Sequence, residues 1–147
     1  MKILVINGAN MNMLGRREPD IYGKEDYAAL CARIYEHAQS RGVAVECFQS
    51  NHEGAIIDAI QEADTAFDGI VINPGAYAHY SYAIRDAIKA ITIPVVEVHI
   101  SDVDSREPFR QISYAHLACV KTYMGLGFEG YRQAILFLKE YLNKNSD

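Results

Sequence analysis

The chain has 147 residues, half of them hydrophobic, which is enough for one domain with a packed core. Its formal net charge is −5, its arginines form no basic stripe, and no apolar run reaches the ~18 residues of a membrane helix, so neither nucleic acid nor a membrane is an expected partner. Cys31, Cys47 and Cys119 contain no Cys-x-x-Cys pair and lie in apolar segments, which predicts reduced core thiols in a cytoplasmic protein.

Short apolar runs alternate with segments of helical spacing along the whole chain. The runs predict five strands, at residues 2–7, 43–48, 69–73, 94–99 and 119–124. The helical segments start near Tyr27, Ser50, Ser81 and Phe128. Ser50 and Glu53 have the spacing of a capping box. This alternation predicts a single α/β domain over residues 1–147, with a flavodoxin-like, doubly wound parallel sheet in the order 2-1-3-4-5 and helices on both faces.

Polar residues follow four of the predicted strands, and open parallel sheets bind ligands beyond the carboxyl ends of their strands. These ends carry Asn7 and Gly8, then residues 49–51, then Asn73, Pro74 and Gly75, and finally Glu97, His99 and Ser101. Glu97 and His99 are two apart on one strand, so both side chains leave the same face. A carboxylate beside an imidazole favours the imidazolium, which makes the pair a candidate general acid. A purely structural pairing of the two residues is the alternative.

The loop after the first strand is long and irregular, and residues at about 14–24 have the position of an active-site lid. Tyr22 lies on this loop beside Arg16 and Arg17. A tyrosine titrates near ~10, so a catalytic base near neutral pH would need a cation such as arginine close by. An ordinary surface loop with a packing tyrosine is the alternative. Arg106 and Arg110, one helical turn apart, could together face an anion.

Several cofactor chemistries find no support in the sequence. Residues 125–130 match Gly-x-Gly-x-x-Gly, but they open the last β/α unit and no strand follows, so we assign these glycines to tight turning and helix packing. The histidines have no metal-ligand spacing, and no lysine is placed for Schiff-base chemistry. We therefore expect neither a metal nor a cofactor.

Six separated motifs occur in the chain in this order: NGAN…LGRREPDIYG, FQSNHEG, INPGAYAHYSYAIRD, PVVEVHIS, REPFR and GLGFEGY. Together they resemble the type II 3-dehydroquinate dehydratases over essentially the whole chain. The resemblance implies dehydration of a small anionic substrate, 3-dehydroquinate, to 3-dehydroshikimate by anti elimination through an enolate, without metal or Schiff base. It implies a role in the shikimate pathway, and quinate catabolism by the same chemistry is left open.

The resemblance assigns roles in proton transfer by position. Tyr22 resembles the base that removes a proton from C2, and Arg17 the lid cation that lowers its pKa. His99 resembles the acid that protonates the departing C1 hydroxyl, with Glu97 orienting and charging it. Asn10 resembles the residue that holds a water against the enolate oxygen, where a donor matters most as charge develops.

The resemblance also assigns substrate contacts. Asn73, His79 and Arg110 match positions that bind substrate hydroxyls. The backbone amides around Ile100 and Ser101 would receive the substrate carboxylate.

Three further residues have supporting roles by the same resemblance. Arg106 matches an arginine that supports the electrostatics of the site, and Gly75 belongs to the turn after the third strand. Asp86 corresponds to a carboxylate lent by a neighbouring subunit, since the family assembles as trimers and usually as a dodecamer of four trimers. A homo-oligomer of this kind is therefore expected.

The chain departs from the family pattern at several positions, among them Ala9 in place of a proline and Ala78 and Tyr80 in place of threonines. Asp102 and Asp104 stand where the family usually has an asparagine and a histidine, and added carboxylates would repel an anionic substrate. Residues 112–124, ISYAHLACVKTYM, differ from the common pattern HSYLSPVAAGVIV. Every residue assigned to proton transfer is present, so we predict that activity is retained.

Two functions of other classes fit the sequence less well. A non-catalytic receiver-like domain needs acidic residues after the first strand, where this chain has Asn7 and Asn10. A flavin-binding electron carrier needs a small, hydroxyl-rich phosphate loop there, and the composition of NGANMNMLGRR does not provide one.

Overall fold

The computed structural model describes residues 1–16, 18, 20 and 24–146, and its centre is a parallel sheet. The strands are β1 (Lys2–Asn7), β2 (Ala44–Gln49), β3 (Gly69–Asn73), β4 (Val95–His99) and β5 (Lys121–Met124). They are arranged in the order β2-β1-β3-β4-β5, and every neighbouring pair is parallel. The predicted fold class and strand order are confirmed. The bounds of β1 and β3 are those predicted, and those of the other three strands differ by at most two residues.

Helices cover both faces of the sheet, as predicted. Those with described bounds are α1 (Tyr27–Ser40), α2 (Glu53–Ala66), α3 (Tyr82–Ala90) and α4 (Glu129–Lys144). Side chains of β1 alternate between the two faces, so Ile3 and Val5 pack with α1 and α4, whereas Leu4 and Ile6 pack with α2 and α3. None of the helices in the described part of the chain is long and apolar enough to cross a membrane.

Local sequence rules describe the start of α1 but not that of α2. Asp26 caps α1 by accepting a hydrogen bond from the backbone of Ala29, at 2.8 Å. The predicted capping box of α2 is wrong, because the helix begins at Glu53 itself with His52 as its N-cap. Glu53 is then too early in the helix to reach back, and its carboxylate instead accepts a hydrogen bond from the Ser81 hydroxyl at 2.5 Å. This bond ties α2 to the start of α3.

The glycines of residues 125–130 have the turning and packing roles that the sequence predicts. Gly125 and Gly127 have φ angles of 77° and 58°, which favour glycine. A Cβ on Gly130 would lie 3.1 Å from Val98 Cγ1, so glycine lets α4 approach β4 closely. The three cysteines are free, but each is only partly buried, at the margin of the core rather than inside it.

A buried tyrosine on α4 joins the ends of two strands. The Tyr131 hydroxyl, in a residue only 1% exposed, donates to Asn7 Oδ1 at 2.6 Å and accepts from Asn73 Nδ2 at 3.0 Å. Burial raises the pKa of Tyr131, so the hydroxyl keeps its proton. Because Asn7 ends β1 and Asn73 ends β3, this network fixes the two adjacent strand ends that lie under the pocket described below.

We expect Tyr131→Phe to lower the free energy of unfolding by about 1–3 kcal/mol, because it removes the donor to the buried Asn7 Oδ1 and the acceptor of one Asn73 amide hydrogen. Urea denaturation measures the change. Tyr141→Phe on the same helix is the matched control and should stay within about 0.5 kcal/mol of the wild type, since Tyr141 lies nearer the surface. Equal stability of the two variants would contradict this role for Tyr131.

Candidate active site

A pocket opens at the carboxyl edge of the sheet, beyond the ends of β1, β3 and β4. Most of the residues that the sequence singles out line it, namely Asn10, Asn73, Gly75, His79, His99, Ile100, Ser101, Arg106 and Arg110. Residues separated by up to a hundred positions therefore meet at one site. The strand-end argument correctly located this pocket because parallel strands deliver their carboxyl ends to the same edge.

The loops after β1 and β3 approach each other closely at the pocket wall. Gly8 donates its backbone N–H to the Asn73 carbonyl at 2.7 Å, and a Cβ on Gly8 would collide with the Pro74 carbonyl. Gly75 has φ 65°, and a Cβ there would lie 2.8 Å from the Ala9 carbonyl oxygen. Glycine at both positions is thus what allows the two loops to share one wall.

Asn10 follows β1 in a left-handed conformation, with φ 69°. Its backbone N–H donates to Asn51 Oδ1 at 3.0 Å, and the same oxygen accepts from Gln49 Nε2 at 3.0 Å. Gln49 and Asn51, at the end of β2, therefore support the Asn10 loop. The strand-end pattern predicts instead that these residues lie along the binding edge itself. Such a conformation is costly for a residue other than glycine and is found where the surroundings enforce it, often at functional sites.

Glu97 and His99 form a buried pair on β4. Their side chains leave the same face of the strand, and His99 Nε2 lies 2.7 Å from Glu97 Oε1. Since a carboxylate only accepts hydrogen bonds, Nε2 carries a proton and Nδ1 is the nitrogen available to a ligand. His99 lines the pocket, whereas Glu97, which is 0% exposed, lies behind it.

Three donors hold the Glu97 carboxylate. Besides His99, the Ser113 hydroxyl donates to Oε1 at 2.6 Å and the Thr122 hydroxyl donates to Oε2 at 3.2 Å. Burial by itself would raise the pKa of Glu97, but these hydrogen bonds and the attraction of His99 outweigh it and hold the pKa below its ordinary value. The residue is therefore a buried carboxylate at neutral pH.

His79 lies beside His99, with nearly parallel rings whose centroids are 5.9 Å apart. Its Nδ1–H donates to the Ile112 carbonyl at 2.8 Å. Burial lowers the pKa of His79, the bond to Ile112 raises it, and the nearby His99 and Arg110 lower it further. The net direction is downward, so His79 is neutral near pH 7 and its Nε2 is a hydrogen-bond acceptor.

Arg106 and Arg110 both line the pocket, but the predicted helical turn between them is wrong. Arg106 is in extended backbone, and a short 3-10 turn at Pro108–Arg110 follows it. Arg106 Nη2 lies 3.0 Å from Glu18 Oε2, and Arg110 Nε lies 2.7 Å from Glu107 Oε2. The guanidinium groups are mostly buried, at 9% and 14% side-chain exposure, so each holds its positive charge at this wall of the pocket beside a carboxylate partner.

Besides Glu97, which lies behind the pocket, the assigned residues still to be located are Arg17, Tyr22 and Asp86. Arg17 and Tyr22 lie outside the described residues. Asp86 lies on α3 away from the pocket, with its side chain 66% exposed and 3.2 Å from Arg85 Nη2. The added Asp102 and Asp104 are exposed, and Asp102 Oδ1 accepts from the Asp104 backbone at 3.2 Å, so both carboxylates belong to the surface turn after β4.

The sequence missed two groups of residues at the site. The first is apolar and lines the pocket: Met11, Met13, Leu14, Ala76 and Val103. The second comprises the hydroxyls of Ser113 and Thr122, which hold Glu97. The pairing of β4 with β5 sets Thr122 directly beside Glu97, and a single sequence gives no signal for that register. Among the described residues, no group of three or more His, Cys, Asp or Glu side chains is arranged to hold a metal ion.

Comparisons with known proteins agree on one family. Residues 1–139 match the family model described as dehydroquinase class II. The chain is 52% identical over 143 residues to a 3-dehydroquinate dehydratase of Bacillus cereus (strain AH187), covering 97% of this chain and 98% of the relative. A protein of the same name from Bacillus anthracis (strain CDC 684 / NRRL 3495) is also 52% identical over 143 residues, with the same coverage.

Solved structures give the same result. The crystal structure of the type II dehydroquinase from Butyrivibrio crossotus DSM 2876 superposes with a TM-score of 0.93 at 57% identity, over 95% of this chain and 97% of that one. The type II dehydroquinase from Propionibacterium acnes superposes with a TM-score of 0.92 at 40% identity, over 95% and 96% of the two chains. The strand order and the buried Glu97–His99 pair agree with these matches. The chain therefore belongs to the class II dehydroquinase family.

Proposed function

We propose that this protein is a type II 3-dehydroquinate dehydratase, a hydro-lyase that converts 3-dehydroquinate to 3-dehydroshikimate and water in the shikimate pathway. The observation that carries the proposal is the buried Glu97–His99 pair, whose imidazole faces a pocket with arginines in its wall, in a chain of the dehydroquinase family. Quinate catabolism uses the same reaction. The site therefore supports the reaction and does not distinguish the shikimate pathway from quinate catabolism.

The acid in this mechanism is His99. Glu97 keeps a negative charge against the ring and holds Nε2, so that Nδ1 is presented to the pocket as the donor. Nδ1–H then protonates the C1 hydroxyl as the C–O bond breaks, and water leaves. A buried carboxylate suits this role because its charge is poorly screened at such short range.

The base is Tyr22, which removes the proton from C2, and Arg17 is the cation that stabilises its phenolate. Both belong to a lid at about residues 14–24. Support for a lid comes from Glu18, another residue of that segment, whose carboxylate lies 3.0 Å from Arg106 in the pocket wall. Closure of this segment would exclude water from the base and bring Arg17 to the site.

The enolate that forms after proton removal needs a donor near its oxygen. Asn10 has this role in the proposal, through a water that its side chain orients. The backbone N–H groups of Ile100 and Ser101 receive the substrate carboxylate, and Arg106 supports this region with its charge. Preformed donors of this kind lower the barrier because they need no reorganisation as charge develops.

The remaining substrate hydroxyls are bound by Asn73, His79 and Arg110. His79 offers Nε2 as an acceptor, because its Nδ1–H is bound to Ile112. Asn73 donates one amide hydrogen to Tyr131 and the other to Met11 Sδ at 3.5 Å, a weak acceptor that a ligand oxygen can replace. Its carbonyl oxygen accepts from the backbone of Gly75. Gly75 thereby supports the site by holding the Asn73 side chain.

The proposal includes a trimer-based homododecamer in the cytoplasm. Several large apolar side chains are exposed: Tyr80, Tyr82, Phe109, Ile112 and Leu117. An exposed apolar surface of this kind favours association. Asp86, exposed on α3, would then be lent to the pocket of a neighbouring subunit. The three free cysteines suit a reducing compartment.

For the assembly, we expect light scattering to give the mass of a dodecamer of the 16.4 kDa chain. Leu117→Asp should dissociate at least one of its interfaces, because the side chain is 65% exposed and a charge there would be buried on assembly. Lys144→Asp, an exposed charge change near the end of α4, is the control that should leave the mass unchanged. A monomeric wild type would contradict the assembly.

For the reaction, we expect metal-free protein to turn over 3-dehydroquinate, followed by the absorbance of the enone product. Tyr22→Phe and His99→Ala should each lower kcat by about 10²–10⁴, the usual contribution of a general base or acid. The matched controls are Tyr141→Phe and His37→Ala, which make the same changes at residues of α4 and α1 outside the pocket. No turnover by a folded wild type would refute the proposed function.

For Glu97, the pH dependence of stability is a separate test. Because the pKa of Glu97 is lowered in the fold, its stabilising contribution is present above the unfolded carboxyl pKa of about 4.3 and is lost as pH falls through the folded value. Glu97→Gln should therefore be less stable than the wild type at neutral pH, with a difference that narrows below about pH 4. Its kcat should fall by about 10²-fold. A stability difference that does not change with pH would contradict an ionised Glu97.

A further inference from the structure

His116 is connected to both oxygens of the Glu97 carboxylate, each time through one hydroxyl. Its backbone N–H donates to Ser113 Oγ at 3.1 Å, and that hydroxyl donates to Oε1. Its ring Nδ1 lies 2.6 Å from Thr122 Oγ1, and that hydroxyl donates to Oε2 at 3.2 Å. In the single chain, His116 itself is exposed to solvent. A hydrogen-bonded path therefore runs from the surface to the carboxylate that holds His99.

This path passes behind the pocket. Among the described residues that line the pocket there is no member of the path between His116 and Glu97. His116 and Thr122 both belong to residues 112–124, the stretch in which this chain departs from the family pattern. Because the path passes behind the pocket, any effect of His116 on the reaction must be exerted through Glu97.

The Thr122 hydroxyl has a single proton, so it can donate to only one partner at a time. When His116 is protonated, its Nδ1–H must donate to Thr122 Oγ1, and the hydroxyl proton is directed to Glu97. When His116 is neutral with its proton on Nε2, Nδ1 becomes an acceptor. The hydroxyl then has a partner at 2.6 Å in His116 against 3.2 Å in Glu97, and it turns to His116.

We propose that His116 is a positioning residue that, through the Thr122 hydroxyl, makes the acid step at His99 respond to pH. Protonated His116 gives the Glu97 carboxylate a third hydrogen bond, and neutral His116 withdraws it. With three donors the carboxylate charge is better satisfied and attracts the His99 proton less; with two it attracts that proton more. This inference rests on the proposed dehydratase function, in which His99 donates a proton to the leaving hydroxyl.

The other charged groups near the path lie on α3, on β5 and around Glu97. They do not replace the hydrogen bond between the His116 ring and Thr122. The helix packed on residues 115–118 is α3, which carries Arg85 and Asp86, paired with each other, and Lys89. Next to Thr122, β5 contributes Lys121. Glu97 is faced by His99 and His79, and by Cys119, whose pKa is raised first by burial and then by the Glu97 charge. In the part of the chain that the structure describes, Thr122 is the side chain that bonds to the His116 ring.

The test is the pH profile of kcat for the wild type, His116→Gln, Thr122→Val and the double variant. Glutamine keeps a donor near Thr122 but does not titrate, and valine keeps the shape of threonine without the hydroxyl. We expect the wild type to show a step of roughly three- to tenfold in kcat between about pH 5 and 8, the size of one hydrogen bond to a charged group. Each single variant should lack the step, and the double variant should match Thr122→Val.

Two controls separate this role from loss of structure. Thr122→Ser restores the hydroxyl and should restore the step. His37→Gln removes a histidine from α1 and should leave the step unchanged. The proposal is overturned if the wild type has no step, or if the step persists in His116→Gln or in Thr122→Val.

A second measurement does not depend on activity. In thermal unfolding of the same four proteins, the pH-dependent effect of His116→Gln on Tm should be present when Thr122 is intact and absent when it is combined with Thr122→Val. If the wild type has no dehydratase activity, the proposed function fails, and the thermal cycle still decides whether His116 and Thr122 are linked. An effect of His116→Gln on Tm that is the same in both backgrounds overturns the link.

Discussion

The Glu97 carboxylate carries a negative charge and has no exposure to solvent, and much of this fold is arranged around it. Moving such a charge out of water costs several kcal/mol unless donors replace the lost hydration. The donors come from His99 on the same strand, from Ser113 in the segment after it, and from Thr122 on β5. The hydrogen bonds to this charge therefore come from β4, β5 and their connection together. Site and fold consequently depend on the same hydrogen bonds.

A second constraint fixes the opposite wall of the pocket. The loops after β1 and β3 come within backbone contact because Gly8 and Gly75 have no side chain there. Beneath them, Tyr131 joins the ends of the same two strands from α4. One amide hydrogen of Asn73 bonds to Tyr131 in the core, and the residue also lines the pocket. A binding residue held in this way is oriented before a ligand arrives, which reduces the entropy lost on binding.

Local sequence patterns were sufficient for the features that depend on local geometry. Alternating strands and helices gave the strand order, and the two-residue spacing of Glu97 and His99 placed both side chains on one face. Patterns failed where a distant contact decides the outcome. The spacing of Arg106 and Arg110 suggests a helical turn, but Pro108 disfavours helical backbone at Glu107, and neither Arg106 nor Glu107 is helical. Thr122 could not be assigned to Glu97, because only the β4–β5 register brings them together.

The residues in the pocket and the donors behind Glu97 have different tasks, and they can therefore vary to different degrees. The residues that contact a substrate are constrained by the reaction, whereas the donors behind the carboxylate need only satisfy its charge. A change in their number or strength alters how firmly the carboxylate holds the His99 proton without moving any group in the pocket. The segment after β4 supplies Ser113 and His116, and β5 supplies Thr122. Substitutions in this region of the chain can therefore adjust the acid while the pocket that binds the substrate stays the same.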